Sequence, residues 1–250
     1  MMKKGMAVLL CLLLASACVC ASADPLLLKE DLAGETRIPF REGAESPAYL
    51  YAYAYPQVDE SDPSAGLINQ FYEYLTTDAL GFEVPMMVDF YASSGVEEDV
   101  FVRISYEITC NNDDYFAILL KTEGNDYVTY AGHTFSRKDI RPGSSVALPY
   151  LLGILATEET DEWLQDRQTA KADAMVRAMV WERLQEEKES IGLYEEFTEE
   201  MLELGFYPEE DFYLDGTGNP VFYLEPGIAA DPAAGLLTFP ISIEEILDEI

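Results

Sequence analysis

Hydrophobic and polar residues alternate along the first half of this chain and follow a helical period further on. Tyr49, Tyr51, Tyr53 and Tyr55 are separated by smaller apolar residues, which predicts a strand with its tyrosine side chains on one face. Such a row could stack on carbohydrate, but packing beneath a helix is the commoner arrangement of buried tyrosines. We therefore predict that a helix covers this face.

A helix is predicted soon after this strand. Asp62 is a typical N-terminal cap, and Pro63 suits the first helical position. The apolar residues that follow have the spacing of one buried helical stripe: Leu67, Ile68, Phe71 and Leu75.

Two further strands and a turn are predicted from residue 100 onward. From Val100 to Cys110, apolar or aromatic residues occupy one parity and polar residues the other, which is typical of a half-buried strand with Cys110 on its core face. Asn111 to Asp114 then predict a turn, because these residue types favour tight turns. Tyr115 to Leu120 and Tyr127 to Phe135 continue as strands, which predicts an antiparallel meander.

The period changes after Gly143. Val146 to Leu155 predicts a short helix, and a longer helix is predicted from about Glu162. Its apolar stripe consists of Ala172, Met175, Val176, Met179, Val180 and Leu184. Methionine fills irregular gaps in protein cores, so we assign this stripe to the core rather than to a partner groove.

The last third returns to short strands. The predicted elements are a helix over Phe197–Leu204 stopped by Gly205, strands at Phe212–Leu214, Val221–Leu224 and Leu237–Ile241, and an acidic helical tail at Ile243–Ile250. Strands, then helices, then strands indicate an α+β fold, with helices packed on one face of an antiparallel sheet. No internal repeat or low-complexity linker divides the chain, so a single domain is expected.

The N-terminus has the features of an export signal. Lys3 and Lys4 precede an apolar run, and Ala21-Ser22-Ala23 offers the small residues that signal peptidases accept. We expect residues 1–23 to be a signal peptide, residues 24–44 a flexible lead-in and residues 45–250 the domain. Ser16-Ala17-Cys18 also resembles a lipoprotein processing site, so the sequence leaves open whether the mature chain is secreted or acylated at Cys18 in the cell envelope.

The net charge of the mature chain restricts the kinds of partner that we expect. Loss of Lys3 and Lys4 leaves 13 basic residues against 47 acidic ones, a net charge of −34 in place of −32. Such a charge disfavours nucleic acid and anionic membranes; it suits basic partners, or serves solubility alone. Cys110 would be the only cysteine of the mature chain, and we expect it to be a buried thiol without a disulfide partner.

No catalytic or metal-binding constellation stands out, and the sequence implies no cofactor. His133 is the single histidine; without a motif around it, a structural or surface role is expected, and zinc lacks its usual ligands. Asn111–Asp114 and Asp215–Asn219 are rich in oxygen ligands for calcium, but neither has EF-hand spacing, so we assign both to turns. A hydrolase needs two carboxylates. With 47 acidic residues, pairs of carboxylates are inevitable, so the sequence does not identify a catalytic pair.

Several segments taken together resemble one domain family. They are Tyr55-Pro56-Gln57-Val58, Ile68-Asn69, Phe135–Leu148 with Asp139 and Gly143, Phe212-Tyr213-Leu214, Asn219–Leu224, Ala233-Ala234-Gly235 and Phe239-Pro240-Ile241. Their order is similar to that of the extracytoplasmic domain shared by the anti-sigma factor RsiV and the N-terminal part of the peptidoglycan deacetylase PdaC. Leu224-Glu225-Pro226-Gly227 departs from the family pattern, which usually has a tyrosine there.

The resemblance covers the shared module only, so it implies neither sigma-factor control nor deacetylation. In RsiV this module binds lysozyme, and the resemblance therefore implies a non-enzymatic binding module for lysozyme, another basic protein or a cell-wall glycan. The alternatives are a cell-wall hydrolase with a carboxylate pair and an assembly partner of a surface protein. The sequence assigns no residue to the binding surface.

Overall fold

The computed structural model describes residues 25–154 and 162–249. The proposed signal peptide, Cys18 and the end of the helix predicted at Leu155 lie outside the described residues. Within the described part, the chain is a single α+β domain with two sheets, as the sequence predicts for the fold class. No helix of this part has both the length and the apolar character that a membrane span requires.

The larger sheet has five strands in the order β1-β2-β3-β4-β5. The strands are β1 Leu32–Pro39, β2 Ala48–Tyr55, β3 Val100–Asn111, β4 Tyr115–Gly124 and β5 Val128–Ser136. All neighbours pair antiparallel except β2 and β3, which are parallel. A parallel pair requires a crossover connection, and the helices between residues 65 and 94 provide it. The expected antiparallel sheet is thus mostly, but not wholly, antiparallel.

Strand β1 lies within the segment that the sequence predicts to be a flexible lead-in. That segment, residues 24–44, includes Gly34 and Pro39, yet β1 pairs with β2 along its whole length. Glycine and proline are tolerated in an edge strand. The Tyr53 ring lies over Gly34, so a methyl group there would lie 2.6 Å from the Tyr53 hydroxyl oxygen and the ring would have to shift. The structured chain therefore begins well before residue 45.

The helices of the crossover cover the tyrosine row of β2. Helix α1 spans Ala65–Asp78, a π-helical turn spans Ala79–Glu83 and helix α2 spans Val84–Ser94. Tyr49 and Tyr51 pack against Ala79 and Val84, while Tyr55 stacks on Tyr72 of α1 with ring centroids 5.3 Å apart. Packing beneath a helix, rather than a carbohydrate platform, is confirmed.

The opposite face of the large sheet carries the rest of the chain. It comprises α3 Leu148–Leu151, α4 Glu162–Glu186, α5 Lys188–Ile191, α6 Glu199–Gly205, β6 Phe212–Leu214, β7 Pro220–Leu224, a 3-10 turn Pro232–Ala234, β8 Leu237–Pro240 and α7 Ile243–Glu249. Strands β6, β7 and β8 form a second, antiparallel sheet. Helices therefore lie on both faces of the large sheet, because the apolar residues of α4 and of the small sheet also need a surface to bury.

Most of the predicted stripe of α4 belongs to the core; Met179 is partly buried against the core cluster, and Met175 is partly exposed. Ala172, Val176, Val180 and Leu184 are at most 2% exposed and form one cluster with residues of the small sheet and α7. Burial of these four side chains stabilises the packing of this helix on the domain.

Cys110 is buried as expected, but on the other face of the sheet. The register of β3 against β4 shifts between Ile108 and Cys110, and a β-bulge of this kind reverses which face each later residue occupies. Cys110 consequently pairs with Ala117 in the cluster beneath α4, whereas Ile104 faces α1. The thiol is 1% exposed and is not in a disulfide.

Candidate functional site

Other segments of the chain form hydrogen bonds with both ends of the outer edge of β5, and a cavity lies between them. Near its start, the carboxylate of Glu225 accepts a hydrogen bond from the Tyr130 N–H at 2.9 Å, and the Tyr223 hydroxyl donates to the Tyr130 carbonyl at 3.3 Å. Near its end, the Val146 N–H donates to the Thr134 carbonyl at 2.9 Å. A cavity of about 320 Å³ lies along this edge; we call it the β5 cleft.

Gly132 sets how closely the two sheets approach at the β5 cleft. A methyl group at Gly132 would lie 1.8 Å from the carbonyl oxygen of Phe212, so the backbone of β6 lies directly against β5. A strand glycine often marks such a close approach of another backbone. As a result, the acidic segment that precedes β6 lines the cleft.

Carboxylates dominate the polar lining of the β5 cleft. Glu209, Glu210 and Asp211 follow one another on the loop before β6 and all line the cleft. Glu209 also lines a second cavity of about 320 Å³, next to Asp166 and Asp173 of α4. We call these two cavities together the acidic groove. The sequence signal for this site is the run of three acidic residues after Pro208, which is unremarkable among 47 acidic residues.

Two carboxyl groups of the acidic groove are held in an unfavourable environment. The pKa of Asp173 is raised to about 6, first by burial and then by nearby Glu209 through repulsion and a hydrogen bond between the side chains, while Arg177 acts to lower it. Burial likewise raises the pKa of Asp211 to about 6, with repulsion from Glu225 and Glu210, against a hydrogen bond from the Tyr207 N–H. Both groups gain from a nearby positive charge.

Arginine offers limited compensation in this region. The guanidinium of Arg177 is 4.0 Å from the carboxylate of Asp173, and its Nε also donates to the Phe206 carbonyl at 3.2 Å. One oxygen of Asp173 is buried and has no hydrogen-bond partner among the described residues. The groove therefore holds more negative charge than its neighbouring arginine balances.

His133 lies behind the cleft wall, with its ring on the α1 face of the sheet. The ring packs edge-on against Phe71, with centroids 5.1 Å apart, and Nδ1 is 3.4 Å from the Tyr72 hydroxyl. Burial lowers the pKa of His133 to about 4, so the imidazole is neutral at pH 7. This is the environment of a core histidine.

The two acidic turns use their oxygens to hold backbone. Asn112 Oδ1 accepts hydrogen bonds from the N–H groups of Asp114 and Tyr115. Asp215 Oδ1 accepts from the N–H groups of Thr217 and Asn219 at 2.8 and 3.0 Å. This is the turn chemistry predicted from the sequence. Across residues 25–154 and 162–249, no group of three or more His, Cys, Asp or Glu side chains is arranged to hold a metal ion.

A separate cavity of about 270 Å³ lies where β3 begins. Aromatic side chains line it together with acidic ones: Tyr91, Phe101, Tyr127, Glu98 and Asp126. Phe101 is 40% exposed and Tyr127 is 47% exposed. Exposed aromatic rings beside carboxylates are a surface on which a sugar ring could stack.

Comparison with known proteins identifies structural neighbours but no characterised relative. No protein-family model matches the sequence, and no curated protein matches it. The chain is similar to a DUF3298 family member from Bacteroides fragilis, with a TM-score of 0.47, and to a DUF3298 family protein from Pseudomonas aeruginosa, with a TM-score of 0.48. The structural neighbours are DUF3298 family proteins.

Both similarities extend over most of the two chains compared. Each covers 90% of this chain and 94% of the other, at 12% sequence identity.

Proposed function

We propose that this chain is an exported, acidic binding module of the RsiV type, with a basic protein as its ligand. Lysozyme is the candidate that the sequence resemblance implies. The observation that supports a basic ligand is the acidic groove, in which Asp173 and Asp211 are partly buried beside further carboxylates with one arginine nearby. A cationic partner would relieve this repulsion, and the net charge of the chain would steer such a partner toward it.

Isothermal titration calorimetry of the mature chain against lysozyme tests the proposal. We expect binding at about 20 mM salt and an affinity at least about tenfold lower at about 200 mM, because salt screens attraction between exposed charges. Absence of binding at the lower salt concentration would contradict the proposal. Turnover of peptidoglycan by the purified protein, lost on Asp173→Asn or Asp211→Asn, would instead support the hydrolase hypothesis.

A cell-wall glycan is the second candidate ligand, and the cavity at the start of β3 favours it. Phe101 and Tyr127 present exposed rings there, and aromatic rings with a polar neighbour suit amphipathic ligands such as sugars. Glycan binding would depend on stacking more than on charge.

We expect Phe101→Ala to weaken binding of soluble muropeptides by about fivefold or more, since the stacking surface is lost. The matched control is Phe82→Ala, which removes a 64% exposed ring away from this cavity and should leave binding unchanged. Equal affinities for the two variants and the unmodified chain, measured by calorimetry, would remove the basis for this candidate.

A further inference from the structure

The β5 cleft contains a buried hydroxyl group without a bonding partner. Thr134 lines the cleft and is 3% exposed, and its Oγ1 forms no hydrogen bond with any described residue. A buried polar group left unpaired lowers the stability of a folded protein. Thr134 occupies the same face of β5 as Gly132, the face that packs against β6. The fold therefore retains an unused hydrogen-bond acceptor in the wall of the cleft.

The lining of the cleft is divided between acidic and apolar side chains. Glu209, Glu210 and Asp211 line it together with Val146, Ala147 and part of β5. A long basic side chain has the same division, with an apolar stem and a charged head that needs several acceptors. The volume of about 320 Å³ is at the lower end of the range for ligand pockets, which suits one side chain rather than a folded surface.

We infer that the β5 cleft binds one lysine or arginine side chain of a basic protein partner, with its head group between the carboxylates of Glu209, Glu210 and Asp211 and the Thr134 hydroxyl. The inference rests on the proposed function and specifies the site and the chemistry of recognition. Glu209 and Glu210 are exposed and Asp211 is partly buried, so reduced screening by water strengthens the charge-assisted interaction mainly at Asp211.

A direct test uses small probes that represent the inserted side chain. Nα-acetyl-arginine amide and Nα-acetyl-lysine amide are titrated into the mature chain while its backbone amide signals are followed by NMR. We expect saturable shifts at Gly132, Thr134 and Asp211 with either probe. Nα-acetyl-norleucine amide, which has a similar stem and no charge, should cause none. Equal shifts from all three probes, or no shift at these residues, would overturn the inference.

Two matched triple variants separate the cleft from general charge. The first is Glu209→Gln, Glu210→Gln and Asp211→Asn in the cleft. The second removes the same number of charges from exposed residues of α1 and α2, on the other face of the sheet: Glu73→Gln, Asp78→Asn and Asp89→Asn. We expect the cleft variant to weaken lysozyme binding by at least about tenfold more than the second variant.

Thr134→Val provides a readout that does not depend on charge. Valine has nearly the shape of threonine without its hydroxyl group, so the fold should be retained and slightly stabilised. We expect the same variant to bind the arginine probe about threefold or more weakly, because one acceptor is lost. A stabilised variant with unchanged probe affinity would show that the hydroxyl faces no ligand.

The outcomes distinguish this inference from the proposed function. If lysozyme binds and both triple variants lose affinity equally, the inference fails while the proposed function stands. If lysozyme does not bind but the cationic probes saturate the cleft, the site stands and the choice of lysozyme is wrong. If Ca²⁺ produces the same shifts at lower concentration than either probe, the cleft is an inorganic cation site and the inference is overturned.

Discussion

Replacement of Gly132 by alanine should lower the free energy of unfolding by about 3 kcal/mol or more. The added methyl group would lie 1.8 Å from the Phe212 carbonyl oxygen, which is part of the backbone of β6 and cannot rotate away. The small sheet would have to move off β5, and the cleft between them would change shape. Equilibrium unfolding in urea, followed by circular dichroism, measures the loss.

Gly216→Ala is the matched control for this substitution. Gly216 lies in the turn between β6 and β7, and an added methyl group there would meet no atom within 4 Å. The free energy of unfolding of the Gly216→Ala variant should therefore stay within about 0.5 kcal/mol of that of the unmodified chain. If the two alanine variants were equally stable, the close approach of β5 and β6 at Gly132 would be refuted.

Stability should fall as pH rises through 6. The pKa values of Asp173 and Asp211 are both raised from 3.8 to about 6, so between these values the folded chain holds more protons than the unfolded chain. The stabilisation from these two protonated groups is fully present below pH 4 and is lost as pH rises through 6. After allowance for solvent screening, we expect the free energy of unfolding to fall by roughly 2 kcal/mol between about pH 5 and pH 8.

Asp173→Asn should remove part of this pH dependence. The amide cannot ionise, so its repulsion from Glu209 is absent at every pH, and the variant should be more stable than the unmodified chain at pH 8 by roughly 1 kcal/mol. Asp89→Asn, at an exposed position of α2, controls for the loss of one charge. Urea unfolding at several pH values decides the matter; a variant less stable than the unmodified chain at pH 8 would contradict the assignment.

Individual strands were readable from the sequence because each has one buried and one exposed face. The alternation over Val100–Cys110 and the turn at Asn111–Asp114 correctly predicted β3 and its hairpin with β4. The face of Cys110 was wrong, because a bulge after Ile108 reverses the alternation. Because apolar and polar residues keep alternating through this segment, the sequence pattern does not reveal the extra residue.

Other elements were missed where local signals were weak. Strand β1 contains Gly34 and ends at Pro39, residues that usually indicate a loop; pairing with β2 overrides that preference. No element was assigned to residues 79–94, where α1 continues through a π-helical turn into α2. Such a turn changes the helical period, and Phe82, Met86 and Phe90 are exposed there, so no buried stripe marks the helix.

Sequence alone determined the fold class, the burial of the tyrosine row and of the α4 stripe, and the acidic character of the chain. These properties follow from local periodicity and composition, which folding does not alter. Only the tertiary structure decided which of the 47 acidic residues lie close together. Asp173 and Glu209 are far apart in sequence, and the fold brings their carboxyl groups together. Burial and repulsion depend on distances in space, so the acidic groove exists only in the folded chain.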